Sequence, residues 1–229
     1  MYTETFSPDT GLQADTSGAS FVNYPEWTFS GSGSAQVDLV GELVLSTSGG
    51  YNLGTVSSNY LTGLSQFDLS TPLVVSAEIG SREGNPGSFN SALIVGNIRF
   101  LFHPGYGGGA HRVQYVSGSS VPGGINSNTN MGFTPGVGDN FTPITVTVTE
   151  VGSDYQYNYS IGSYSNVVTI AQIYAGAISE VGLSNAATGT SSFRNFSVSP
   201  IAVPEPSAYA AIALGVLGLA IISKRRIRN

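Results

Sequence analysis

Two stretches of the chain alternate apolar and polar residues with period two. Ile144-Thr145-Val146-Thr147-Val148-Thr149 does so strictly, and Asp154 to Ile161 sets Tyr155, Tyr157 and Tyr159 on one face. Successive side chains on a strand point to opposite faces, so each stretch reads as a half-buried strand with the valines of the first facing inward. Val151-Gly152-Ser153 between them predicts a hairpin. Ala92 to Val95 is nearly continuous apolar, Gly96-Asn97 interrupts it as a turn or bulge, and Ile98, Phe100 and Phe102 then share one face. Arg99, Leu101 and His103 share the other. His111 to Val116 reads as the returning strand after the loop from Pro104 to Gly109.

The rest of the chain follows the same grammar. An edge strand is expected over 2–6, and strands over 26–30, 35–45 with a bend at Gly41, 73–79, 167–173, 178–183 and 193–198. One or two short strands fall within 51–64, and a shorter one over 67–69. Trp27 and Phe29 share a face and read as core; a carbohydrate platform at Trp27 is the minority reading. Phe196 and Val198 are inward candidates. Ser117 to Asn140 is polar and Gly-rich and predicts a long loop. No run of 3.6-residue period precedes Pro206, so helix is expected only after it. Twelve to fourteen short strands with Gly-rich turns predict a two-sheet sandwich or a barrel over residues 1–199.

The end of the chain breaks this pattern. Residues 200–206 form a short linker that carries Pro204-Glu205-Pro206. Ser207 to Ser223 is uncharged and mostly apolar, and Lys224, Arg225, Arg226 and Arg228 follow at once. Seventeen residues of helix span about 25 Å, the lower limit for crossing a bilayer. The expectation is a single transmembrane helix over 207–223, with the basic cluster over 224–229 as a cytoplasmic membrane stop and the preceding domain outside. The alternative is a buried C-terminal helix, which leaves the basic cluster unexplained.

Motif, apolar run and basic tail in this order resemble the PEP-CTERM sorting signal of exported bacterial proteins. The resemblance implies an exosortase-type membrane protease as partner, an inner-membrane stage before processing, and a final place on the cell surface or in extracellular polysaccharide. Residues 1–6 carry neither a basic n-region nor an apolar h-region, so the expectation is that the start has been trimmed or set too late. Ser179 to Asn185 and Gly189 to Val198 resemble the last two strands of the concanavalin A-like, laminin-G-like jelly rolls. That resemblance spans about residues 2–198 and implies an antiparallel two-sheet jelly-roll sandwich. The family often has Asp where this chain has Arg194, which weakens any inference of calcium handling there.

Charge and composition narrow the partners. Only 10% of the 229 residues are charged, and cysteine is absent. Ahead of the tail, four arginines stand against thirteen carboxylates, a formal charge near −9. Such a domain does not steer toward nucleic acid. Without disulfides it must rely on its core, and about 200 residues permit one.

Candidate chemistry is sparse. His103 and His111 flank one loop and could begin a metal site, but no third ligand is evident nearby, and polar residues rimming a hairpin are the simpler account. Calcium is an open option with Asp139, Asn140 and Asp154 as oxygen donors, and no residue is assigned to it. Glycan hydrolysis needs two paired carboxylates. Glu78 with Glu83, and Glu150 with Asp154, look like solvated loop charges. The reading is therefore a non-catalytic surface or matrix protein, glycan-binding through an exposed aromatic. Tyr106, among glycines, is the candidate, with a core role as its alternative. A carbohydrate-active enzyme using dispersed acids such as Glu78 or Glu180, and a structural protein with no ligand, remain the competing readings.

Overall fold

The structure is a computed structural model. It describes residues 2–4, 13–14, 27–30, 34–37, 42–47, 54–58, 71–81, 91–103, 109–132, 138–178, 180–185 and 189–200. These form sixteen strands: β1 (Tyr2–Glu4), β2 (Gln13–Ala14), β3 (Trp27–Ser30), β4 (Ser34–Val37), β5 (Leu43–Thr47), β6 (Gly54–Ser58), β7 (Leu73–Ser81), β8 (Ser91–Val95), β9 (Ile98–His103), β10 (Ala110–Tyr115), β11 (Ile125–Asn130), β12 (Gly138–Val151), β13 (Asp154–Ile161), β14 (Tyr164–Ala171), β15 (Val181–Asn185) and β16 (Gly189–Pro200). A four-residue helix, α1 (Gln172–Ala175), follows β14.

The strands make two antiparallel sheets. The first runs β14-β13-β12-β7-β16-β5-β4-β2, with β1 pairing along the second half of β16. The second runs β11-β10-β9-β8-β15-β6-β3. One core lies between them. The first sheet supplies Leu73, Val75, Ile144, Val146, Tyr157, Phe193 and Phe196, and the second supplies Leu93, Ile98, Phe100, Phe102 and Leu183. Phe100 packs its ring 5.5 Å from Tyr157 and 5.3 Å from Tyr159. Two buried hydrogen bonds also cross between the sheets. Ser91 Oγ donates to Ser191 Oγ at 2.8 Å, and Asn185 Nδ2 donates to the Leu45 carbonyl at 3.3 Å.

The β12–β13–β14 meander follows its alternation. Val146, Val148, Tyr155, Tyr157 and Tyr159 are buried, while Asn158 and Thr169 on the opposite face are exposed. Gly152 and Gly162, both at positive φ, open the two-residue turns between these strands. The second residue of each turn has negative φ, which is the type II′ arrangement that takes Gly first.

Several expectations need correction. The long loop over 117–140 contains β11 and the start of β12, because alternate asparagines in 125–130 pair with β10 as a polar edge strand. The strand expected over 167–173 runs from Tyr164 to Ala171, and α1 takes up Gln172 and Ile173. A helix therefore does precede Pro206. The strand expected over 178–183 is Val181–Asn185.

The transmembrane helix expected at 207–223 is not borne out. Among the described residues no helix is long and apolar enough to cross a membrane. The fold class is corrected to all-β, and anchoring in the inner membrane by that helix is withdrawn with it. Residues 201–229, including Pro204, Glu205, Pro206, Lys224, Arg225, Arg226 and Arg228, lie outside the described residues.

Candidate functional site

The feature that sequence reasoning missed lies on the outer face of the second sheet. In β9, Ile98, Phe100 and Phe102 point into the core, so Arg99 and Leu101 fall on the other side. Register sets Arg99 opposite Gln114 and Leu101 opposite Arg112 on β10. Ile94 on β8 is the other neighbour of Arg99. This face is covered too: Ile94 and Leu101 are each 1% exposed, Gln114 3% and Arg99 6%.

A guanidinium carries five N–H donors and cannot shed its charge at neutral pH. Arg99 Nη2 donates to Gln114 Oε1 at 2.8 Å. Among the described residues, the buried Nε and Nη1 have no hydrogen-bond partner. Three N–H donors of a buried cation are therefore unclaimed. Burial pushes the Arg99 pKa down to about 10, and the charge of Arg112 adds to the effect. Arg112 is half-buried and donates from Nε to Asn128 Oδ1 on β11. Gly118, at φ +89, lies against the same nitrogen, and a Cβ there would stand 3.0 Å from Nη2. The arrangement is two cations and two side-chain amides on one sheet face. It can donate hydrogen bonds to an oxygen-rich ligand.

A second polar cluster sits between the sheets. His111 is buried against Tyr164 and Tyr159, with ring centroids 4.6 and 5.7 Å away. Tyr164 Oη lies 3.3 Å from His111 Nε2, and Asn166 Nδ2 donates to Tyr164 Oη at 3.2 Å. Among the described residues the Tyr157 hydroxyl has no hydrogen-bond partner, and Asn166 is the polar neighbour of the Tyr159 hydroxyl. Burial raises the pKa of both phenols and lowers that of His111, the Thr129 backbone offsetting part of the latter.

The residues singled out from sequence are not brought together. His111 pairs with Phe102 and His103 with Ala110, so the two histidine positions fall on opposite faces. A shared metal is ruled out by that register. Among the described residues no group of three or more His, Asp or Glu could hold a metal ion. Tyr106 and Glu83, and the side chains of Trp27, Phe29, Asp139 and Asn140, lie outside the described residues. Asp154 sits at the β12–β13 tip, its carboxylate 3.5 Å from Ser153 Oγ. Glu150 at the same tip accepts from Gln172, and Glu78 on β7 pairs with Arg194 on β16. Arg194 also lies over the Phe141 ring, 3.9 Å from its centroid.

Arg99 could have been found in the sequence. It interrupts the run Ile98-Arg99-Phe100-Leu101-Phe102, where a charge is costly unless it is partnered.

Comparison with known proteins bears on destination and fold. The PEP-CTERM protein-sorting motif matches residues 202–226. The motif implies sorting for export and processing by an exosortase-type membrane enzyme. None of the curated proteins matches the sequence.

Among solved structures the chain is similar to a carbohydrate esterase from Shiga toxin-encoding bacteriophage phi24B. The TM-score is 0.52 at 14% identity, covering 88% of this chain and all 100% of that one. It is also similar to the lectin UEA-II complexed with galactose, with TM-score 0.48, 13% identity, and 84% and 99% covered. Alginate lyase AlyC3 gives TM-score 0.47 at 12% identity, with 73% and 78% covered. At 14% identity the likeness to the esterase concerns the fold alone.

Proposed function

We propose that this chain is an exported surface or extracellular-matrix protein that binds glycan without catalysing its turnover, on a sandwich of the concanavalin A-like jelly-roll type. The sorting motif supports the destination. The observation that carries the binding role is the cluster Arg99, Gln114, Arg112 and Asn128. It holds guanidinium and amide groups together on one sheet face, where the half-exposed Arg112 and Asn128 can donate hydrogen bonds to the hydroxyls of a sugar. Its non-catalytic character is supported by the state of the carboxylates. Glu78 is committed to Arg194 and Glu150 to Gln172, and the β7–β16 and β12–β13 sites that hold them are separate. Extracellular polysaccharide is the proposed partner.

The test is a glycan array combined with a turnover screen, both on the full chain. Binding without turnover is the expected result. Turnover abolished by one carboxylate substitution would replace this reading with a carbohydrate-active enzyme. Absence of both binding and turnover would leave a structural matrix protein. A Tyr106→Ala variant asks whether the loop between β9 and β10 contributes, and a tenfold weaker binding would place it in the site.

A further inference from the structure

We infer that the outer face of the second sheet is an oxyanion site for the carboxylates of an acidic polysaccharide, with Arg99 as its deep anchor and Arg112 as its rim contact. The inference rests on the glycan-binding reading and names its ligand class. Its first ground is the stranded guanidinium. Arg99 is buried and its Nε and Nη1 donate to nothing. A buried cation without a partner is strongly unfavourable, and a chain keeps one where a ligand completes it. Its second ground is the company Arg99 keeps. Among the described residues the charge that acts on it is that of Arg112, also positive, on the neighbouring strand of the same face. Two like charges in one cluster repel until an anion sits with them.

The geometry favours a polymer over a single small anion. Arg99 and Arg112 are diagonal neighbours across β9 and β10, about 7–8 Å apart at the backbone. One is buried and the other half-exposed. A chain bearing a carboxylate on successive sugars can engage both, whereas one small anion satisfies one. Gln114 and Asn128 each hold one arginine by a single hydrogen bond, fixing the two guanidinium groups without neutralising them. The exposed Ser117 and Ser119 flank Gly118, whose turn packs against Arg99.

The decisive experiment measures binding of the full chain to oligouronates of defined length, built of galacturonate, glucuronate or mannuronate. The controls are their carboxyl-reduced neutral counterparts and the free uronate monomers. The expected result is that at least one oligouronate binds, at least tenfold more tightly than its reduced form and than its monomer. Arg99→Met should weaken that binding at least tenfold and Arg112→Gln by a smaller factor, without lowering the thermal midpoint. Arg99→Lys keeps the charge and loses the planar fork, so intermediate binding is expected and the test survives if the Met variant folds poorly. Equal affinity for reduced and acidic chains, with Arg99→Met unchanged, would overturn this inference and leave glycan binding standing. Monomers binding as tightly as oligomers would overturn the polymer assignment. No binding to acidic or neutral chains would overturn both.

Discussion

The β12–β13–β14 meander buries one face of its strands, whereas β8 and β9 are buried on both. In the meander Val146, Tyr157 and Ile170 face the core while Asn158, Ser165 and Thr169 meet water. Every residue of β8 is buried, from Ser91 to Val95, and Arg99 is buried among Ile98, Phe100, Leu101 and Phe102. A one-faced sheet tolerates any polar side chain on its wet side. A two-faced one requires that each polar atom find a partner. The meander therefore carries its polar residues at no cost, and β9 carries a stranded cation. What the comparison teaches is where to look for binding: at the polar group that the packing leaves unsatisfied.

The largest effect expected is on the shared core. Phe100→Ala removes the ring between Tyr157 and Tyr159 and should cost about 3–5 kcal/mol. In a domain this size that lowers the melting temperature by about 6–20 °C. A drop of only a degree or two would mean that the two sheets are not joined through this ring.

Arg99→Met acts mainly on binding. It removes three unclaimed donors but also leaves the buried Gln114 Oε1 without its donor, so the two effects offset and the fold should change by no more than about 1 kcal/mol while oligouronate binding falls. Denaturant titration alongside the binding assay separates the two. A loss above about 3 kcal/mol, more than the orphaned Gln114 Oε1 accounts for, would show that the guanidinium already has its counter-charge within the fold.

The third test concerns acid. Burial depresses the His111 pKa below its ordinary value of 6.5. The unfolded chain then binds the proton more readily than the folded one. The contribution of neutral His111 is full above about pH 6.5 and is lost as the pH falls toward the depressed folded value. Melting temperature should fall between pH 7 and pH 5, and His111→Gln should flatten that slope. An unchanged slope in the variant would assign the acid sensitivity to carboxylates instead.

The smallest effect belongs to the wet face of the first sheet. The Glu78–Arg194 pair is 31% and 42% exposed on its two side chains. Solvent screening reduces it to about 0.2–1 kcal/mol, so Glu78→Gln should shift the melting temperature by no more than about 1–4 °C. A larger drop would make this pair a structural clamp and erase the contrast between the two faces.

The alternation in 144–149 and 154–161 specified a hairpin, its glycine turn and its inward face before any tertiary contact was known, because the period of a strand is a local property. Phe196 and Val198 were legible as core for the same reason. The asparagines of β11 were not. An edge strand needs no apolar face, so its sequence looks like a loop until β10 is placed beside it. The sorting motif was readable because a receptor recognises it as a short linear signal. The transmembrane helix expected beside it was corrected.

By itself the sequence determined an all-β chain, its alternating strands, its export signal and the scarcity of carboxylate pairs. These are matters of period, composition and linear motif. The tertiary structure decided that His103 and His111 fall on opposite faces, and that Arg99 and Gln114 lie side by side with Arg112 and Asn128 along the same face. It also decided that two guanidinium nitrogens of Arg99 are buried with nothing to bind. The physical reason is that register and burial are set by the pairing of strands and by what covers a face. Neither is a property of one strand's sequence.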